Sequence, residues 1–151
     1  MRPDAARVLE DARLLRAMPR YVGVVKGALP ARYMVARMVA SDHSKEASIG
    51  ELMELHASLL REEYDLMERI DKKGMPDPKP MTPQKSLLDL KALIGMRMLE
   101  KCQLCERKCS VDRTKGKLGY CRLGDVMKVS SAFVHMGEEP EIVPSFTVYG
   151  N

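Results

Sequence analysis

From Ser48 to Gly74 the chain reads SIGELMELHASLLREEYDLMERIDKKG, and this stretch decides the architecture. Ser48 and Glu51 stand at the spacing of a capping box, in which each side chain satisfies a backbone N–H that the first helical turn leaves open. Ile49, Leu52, Met53, His56, Leu59, Leu60, Met67 and Ile70 then recur along one helical stripe, with Glu54, Arg61, Glu62, Asp65, Glu68 and Arg69 on the solvated side. Lys72 and Lys73 complement the helix dipole and Gly74 ends the helix. A long amphipathic helix of this kind needs other helices to cover its apolar face. The predicted fold is therefore mainly α: an N-terminal helical bundle, a small four-cysteine metal module and short C-terminal β strands.

Toward the N-terminus, Asp4 can cap a helix carrying Val8, Leu9, Ala12 and Leu15, with Pro19 marking its end. Tyr21 to Leu29, with Gly23 and Gly27, reads as a break. Pro30 opens a second helix through Ala40, with Met34, Val35, Met38 and Val39 on its apolar side, and Asp42, His43 and Ser44 read as loop. His56 on the long helix reads as a hydrogen-bonded core histidine rather than a ligand.

Toward the C-terminus, residues 75–83, MPDPKPMTP, hold four prolines and predict a semi-rigid extended linker. Thr82 and Pro83 restart a helix through Leu87, Leu88, Leu90, Leu93, Ile94, Met98 and Leu99, which runs into Cys102. Beyond the cysteines, Val126 to Phe133 and Phe146 to Tyr149 are short β-type runs flanking the acidic stretch Gly137 to Pro144. The organisation predicted is residues 1–74 as bundle, 75–82 as linker, 83–125 as helix plus metal module and 126–151 as strands.

All four cysteines fall within Lys101 to Arg122, KCQLCERKCSVDRTKGKLGYCR, spaced C-x2-C-x3-C-x11-C. Cys102, Cys105, Cys109 and Cys121 in one loop-rich stretch point to a shared metal site, because four thiolates can converge on one cation. Lys101, Arg107, Lys108, Arg113, Lys115, Lys117 and Arg122 surround them, and positive charge favours the thiolate form. Gly119 would let a backbone N–H approach a sulfur. Buried free thiols and two disulfides are the competing readings; clustering opposes the first, and the absence of an export signal in MRPDAARVLEDARLL opposes the second. Ligand type suits zinc and a 4Fe-4S cluster equally, and the spacing matches neither the ferredoxin run nor a standard zinc ribbon.

Composition narrows the partners. Residues 1–40 and 101–128 each carry about +5, and residues 41–100 and 129–151 about −3, within a net charge of +4. That patchwork argues against a nucleic-acid surface, as does the lack of aromatics near the basic loop other than Tyr120. Clean apolar runs of about five residues are too short for a membrane span, so a cytoplasmic protein is expected. Trp is absent and twelve methionines supply much of the core volume.

From Lys101 onward the sequence resembles the N-terminal region of radical SAM proteins related to pyruvate formate-lyase activating enzyme. Those proteins show CxLCxRxCxVxRxxGxxGYC followed by H-x-GEEP. The matching residues here are Cys102, Leu104, Cys105, Arg107, Cys109, Val111, Arg113, Gly116, Gly119, Tyr120 and Cys121, then His135, Gly137, Glu138, Glu139 and Pro140. SFTVYGN, Ser145 to Asn151, resembles the first strand of the radical SAM barrel. The chain departs from the family where catalysis would lie. A radical SAM enzyme binds its 4Fe-4S cluster through C-x3-C-x2-C and leaves one iron open for S-adenosylmethionine, whereas this chain has the reverse spacing and a fourth cysteine that would close the open position. No catalytic residue is assigned, and His135, Glu138 and Glu139 read as a surface turn before a strand.

The resemblance implies the N-terminal metal-binding portion of a radical SAM activase-like protein. S-adenosylmethionine would enter only with a complete barrel, which would then be this portion's partner. The alternative is a stand-alone zinc-stabilised helical adaptor that binds a partner protein.

Overall fold

The computed structural model describes residues 3–75, 82–126, 129, 131–135 and 145–149. It is mainly helical, with six α-helices among the described residues: α1 Pro3–Val8, α2 Ala12–Ala17, α3 Pro19–Val25, α4 Arg32–Ala36, α5 Ile49–Lys73 and α6 Leu87–Met98. A 3-10 turn at Arg113–Lys115 follows, then β1 Ser131–His135 and β2 Ser145–Tyr149.

Helix α5 forms as its sequence dictates. Glu51 Oε2 accepts from the Ser48 N–H at 2.8 Å, and the Glu51 N–H donates to Ser48 Oγ at 3.3 Å. At the other end Gly74 takes a φ of 79°, and its N–H reaches the Ile70 carbonyl at 2.8 Å. The buried face carries Leu52, Leu59 and Ile70, but Ile49 and Met53 are about half exposed. Further along the same helix Glu63 enters the interior, its side chain fully buried. Glu63 was not part of the predicted stripe; two cations reaching down from neighbouring segments make a carboxylate stable there. Arg32 donates to Glu63 Oε1 at 3.0 Å and Lys91 to Oε2 at 2.9 Å. His56 is half-buried on the same helix, and burial followed by the nearby Lys91 charge lowers its pKa.

Helix α6 lies against α5, and α4 packs on both. Ala36, Val39, Leu52, Leu59, Leu87, Leu90 and Ile94 make one continuous core. The entry to α6 is clamped. Ser86 caps the helix with Asp89 as its capping-box partner, and residue 86 also pairs antiparallel with Ala40. On either side of that bridge the Ser41 N–H reaches the Lys85 carbonyl at 3.1 Å, and the Leu87 N–H reaches the Val39 carbonyl at 2.9 Å. The helix therefore starts at Leu87 rather than at the predicted Thr82 and Pro83. Replacing Ser86, which is 2% exposed, with alanine should cost about 1 kcal/mol. Thermal unfolding monitored by circular dichroism should show a Tm lower by about 3 °C.

The N-terminal region is more broken than the sequence suggested. Asp11 interrupts the first predicted helix by capping a new one, with its Oδ1 accepting the Arg13 N–H at 2.7 Å. Asp4 lies inside the first turn of α1 instead of capping it. Pro19 opens α3 rather than closing the first helix, and α3 occupies part of the predicted break until Gly27, at φ 72°, ends it. The helix expected from Pro30 to Ala40 shortens to α4, capped at Ala31. Leu9, Leu14 and Val22 form a second, smaller core. Arg20 ties this part to the rest, donating to the Pro30 carbonyl at 2.8 Å and pairing with Asp71 near the end of α5.

The segment at 41–44 is loop, as read, yet Ser41 and His43 are buried and bonded to each other at 3.0 Å through Oγ and Nδ1. Strands β1 and β2 pair with each other antiparallel, with Phe133 opposite Thr147. Most of the proline-rich linker, residues 76–81, and Glu138 and Glu139 of the acidic stretch lie outside the described residues.

Candidate metal centre

The cysteine loop is zipped onto the end of α6. The Arg113 N–H reaches back to the Leu99 carbonyl at 2.9 Å, the Cys102 N–H to Val111 at 3.0 Å and the Ser110 N–H to the Cys102 carbonyl at 2.9 Å. The Lys108 N–H closes a tight turn on the Cys105 carbonyl at 3.0 Å. Among the described residues, the non-glycine positions with positive φ are Lys108 at 42°, Ser110 at 55° and Arg122 at 56°. Each adjoins Cys109 or Cys121. Such backbone is disfavoured for L residues and persists where surrounding bonds enforce it.

Between the third and fourth cysteines, Asp112 organises the chain. Its Oδ1 accepts the Thr114 N–H at 3.1 Å and the Thr114 hydroxyl at 2.6 Å, and Lys115 Nζ lies 3.0 Å from Oδ2. The 3-10 turn that follows ends at Gly116 in the left-handed region, φ 73°. This turn aims the side chain of Arg113 inward, where only 4% of the residue is exposed.

The sulfurs are acceptors in this arrangement. The Tyr120 N–H lies 3.4 Å from Cys109 Sγ. The Leu104 N–H bonds to the Cys102 sulfur, and this bond first, then the Arg113 guanidinium, lowers the Cys102 pKa. Cys121 repeats the pattern with the Leu123 N–H and then Arg113. Arg113 Nη2 sits 3.3 Å from Cys121 Sγ, and its Nη1 donates to the Leu123 carbonyl. Hydrogen bonds to a charged sulfur favour the thiolate, which is the form that binds metal.

The expected close approach of a backbone N–H to a sulfur occurs one residue later than Gly119, at Tyr120. Gly119 has a different role: a Cβ there would collide with the Arg113 guanidinium. The four cysteines are not equivalent. Cys102 is buried, Cys109 half-buried, and Cys105 and Cys121 exposed, all four being free thiols. The structure brings Cys102 and Cys121 to one guanidinium and Cys109 to the N–H beside Cys121. Among the described residues, no three His, Cys, Asp or Glu side chains converge as a metal-holding group.

Comparison with known proteins adds one relative. An uncharacterized protein of Methanocaldococcus jannaschii is 32% identical to this chain over 131 residues, 86% of the chain and 36% of the relative. The chain thus spans about a third of the relative's length. No protein-family profile and no solved structure matches. A match of that extent in 151 residues necessarily takes in the stretch from α4 through Cys121.

Two residues of consequence escaped the sequence reading. Arg113 stood as one base among seven and as a matched position of the family pattern, but with no role of its own; its inward direction comes from the 3-10 turn. Glu63 occupied a helical position that the apolar stripe crosses, and that position was the available signal. Among the described residues, no helix is long and apolar enough to cross a membrane.

Proposed function

We propose that this chain is the N-terminal metal-binding portion of a radical SAM protein of the pyruvate formate-lyase activating enzyme type, and that Cys102, Cys105, Cys109 and Cys121 bind one metal centre. The centre would be an accessory 4Fe-4S cluster or a zinc ion, held away from the S-adenosylmethionine chemistry of a barrel. The observation that carries this reading is the pair of donors on the cysteine sulfurs, the Tyr120 N–H on Cys109 and the Arg113 guanidinium on Cys121, because oriented donors around thiolates are what a metal–thiolate centre uses. The donor set is all sulfur, which suits either metal form. Cys105 and the final convergence of the four sulfurs would be drawn in by the metal itself, since binding and local folding are coupled at such sites.

Length supports a larger protein. The stretch shared with the archaeal relative is 36% of that protein, so the relative is nearly three times as long as the shared stretch. The reading is tested by the coding sequence that follows codon 151. An in-frame Cys-x3-Cys-x2-Cys shortly after it is expected; a reading frame without that motif would overturn the enzyme assignment and favour the zinc-stabilised helical adaptor.

A further inference from the structure

We propose that Arg113 is the internal counter-charge of the metal centre, a positioning residue whose guanidinium bridges the sulfurs of Cys102 and Cys121 and tunes the bound metal through them. The inference rests on the reading of the four cysteines as one metal site. Its basis is a charge that the interior leaves otherwise unbalanced. Arg113 is 4% exposed and, among the described residues, pairs with no carboxylate; the adjacent Asp112 is engaged by Thr114 and Lys115. Covered by its own loop, the side chain turns its donors to the groups of that loop. What the guanidinium does meet is the Cys121 sulfur at 3.3 Å, the Cys102 sulfur and the Leu123 carbonyl.

The surroundings are shaped around this one side chain. The guanidinium lies against Gly119, and the backbone N–H of Arg113 is fastened to Leu99 at the end of α6, which fixes the base of the side chain relative to the helix. A zinc ion or an oxidised 4Fe-4S cluster bound by four thiolates carries about −2 overall, and a fixed guanidinium offsets part of it. Arg presents several N–H groups in a planar fork and so reaches two sulfurs at once; a lysine ammonium is a point charge on a flexible stem.

The test uses Co2+ as the probe, added anaerobically to the reduced, metal-free full chain, with Arg113→Gln and Arg113→Lys compared with the parent. Arg113→Gln should weaken Co2+ binding about 10- to 100-fold. It should also move the thiolate-to-cobalt charge-transfer band to lower energy, because the sulfurs lose an N–H donor. Arg113→Lys should lose less than tenfold and move the band less. An unmoved band in both variants, or Co2+ binding unchanged in Arg113→Gln, would overturn the role of Arg113 alone. A parent chain that binds no Co2+ would overturn the four-cysteine reading on which it rests. If Arg113→Gln fails to fold, as judged by its far-ultraviolet circular dichroism, Arg113→Lys decides: a band and affinity identical to the parent would refute the two-sulfur bridge.

Discussion

Cys105→Ser should abolish stoichiometric metal binding while leaving the metal-free protein about as stable as the parent. Cys105 is exposed, its carbonyl rather than its sulfur holds the Lys108 turn, and surface changes of this size usually stay within about 0.5 kcal/mol. The two effects separate cleanly at this position, whereas Cys102 is 3% exposed and packed into the base of the loop. Removal of one of four thiolates opens the coordination of a closed site, and a hydroxyl is a poor replacement for a thiolate toward zinc or iron. Metal content per chain, measured beside thermal unfolding with and without metal, checks both halves. The parent should gain stability on metal binding by mass action and the variant should not. Full metal content in the variant would show that the four cysteines do not share one site.

Glu63 is expected to have the largest single effect on the helical core. Glu63→Ala removes a fully buried carboxylate that Arg32 and Lys91 both address, and should cost about 3 kcal/mol, toward the low end for such pairs because Arg32 is half exposed and can turn to water. Glu63→Leu should cost much less, since an apolar side chain of similar volume fills the site without a carboxylate to desolvate. The pH dependence follows from the direction of the shift. Burial pushes the Glu63 pKa up, but the bonds from Arg32 and Lys91 outweigh it and the net shift is downward. A carboxyl with a depressed folded pKa contributes stability that is present above its unfolded pKa, near 4.3, and is lost as pH falls through the folded value. Urea unfolding should therefore show the parent losing stability below about pH 4 more steeply than Glu63→Leu. Identical pH profiles would mean that the carboxylate is not held by its two cations.

The long helix was legible because local signals agree there. The capping box at Ser48 and Glu51, the apolar spacing and Gly74 point to one outcome, and α5 spans it. Short helices were harder, since each residue near their ends can serve two roles. Asp11 could continue a helix or cap a new one, and Pro19 could end a helix or start one; tertiary packing of Leu9, Leu14 and Val22 selects the second role in both cases. Ser86 shows the same limit. Its capping box with Asp89 lay in the sequence, but the bridge to Ala40 that fixes the start of α6 joins segments far apart in the chain. The candidate site was legible in its ligands and not in its electrostatics. Spacing selects Cys102, Cys105, Cys109 and Cys121, while the inward turn of Arg113 depends on the Asp112 side chain and the left-handed Gly116 together.

The most direct measurement is metal and acid-labile sulfide analysis, with a visible spectrum, on full-length chain purified without oxygen. Iron with labile sulfide and a brown colour bleached by reductant is the expected result, and would make the four cysteines an accessory cluster site. One colourless zinc per chain would keep the shared site but contradict the cluster. Protein that contains neither iron nor zinc, and takes up neither on reconstitution, would contradict the central claim that these cysteines form a metal centre.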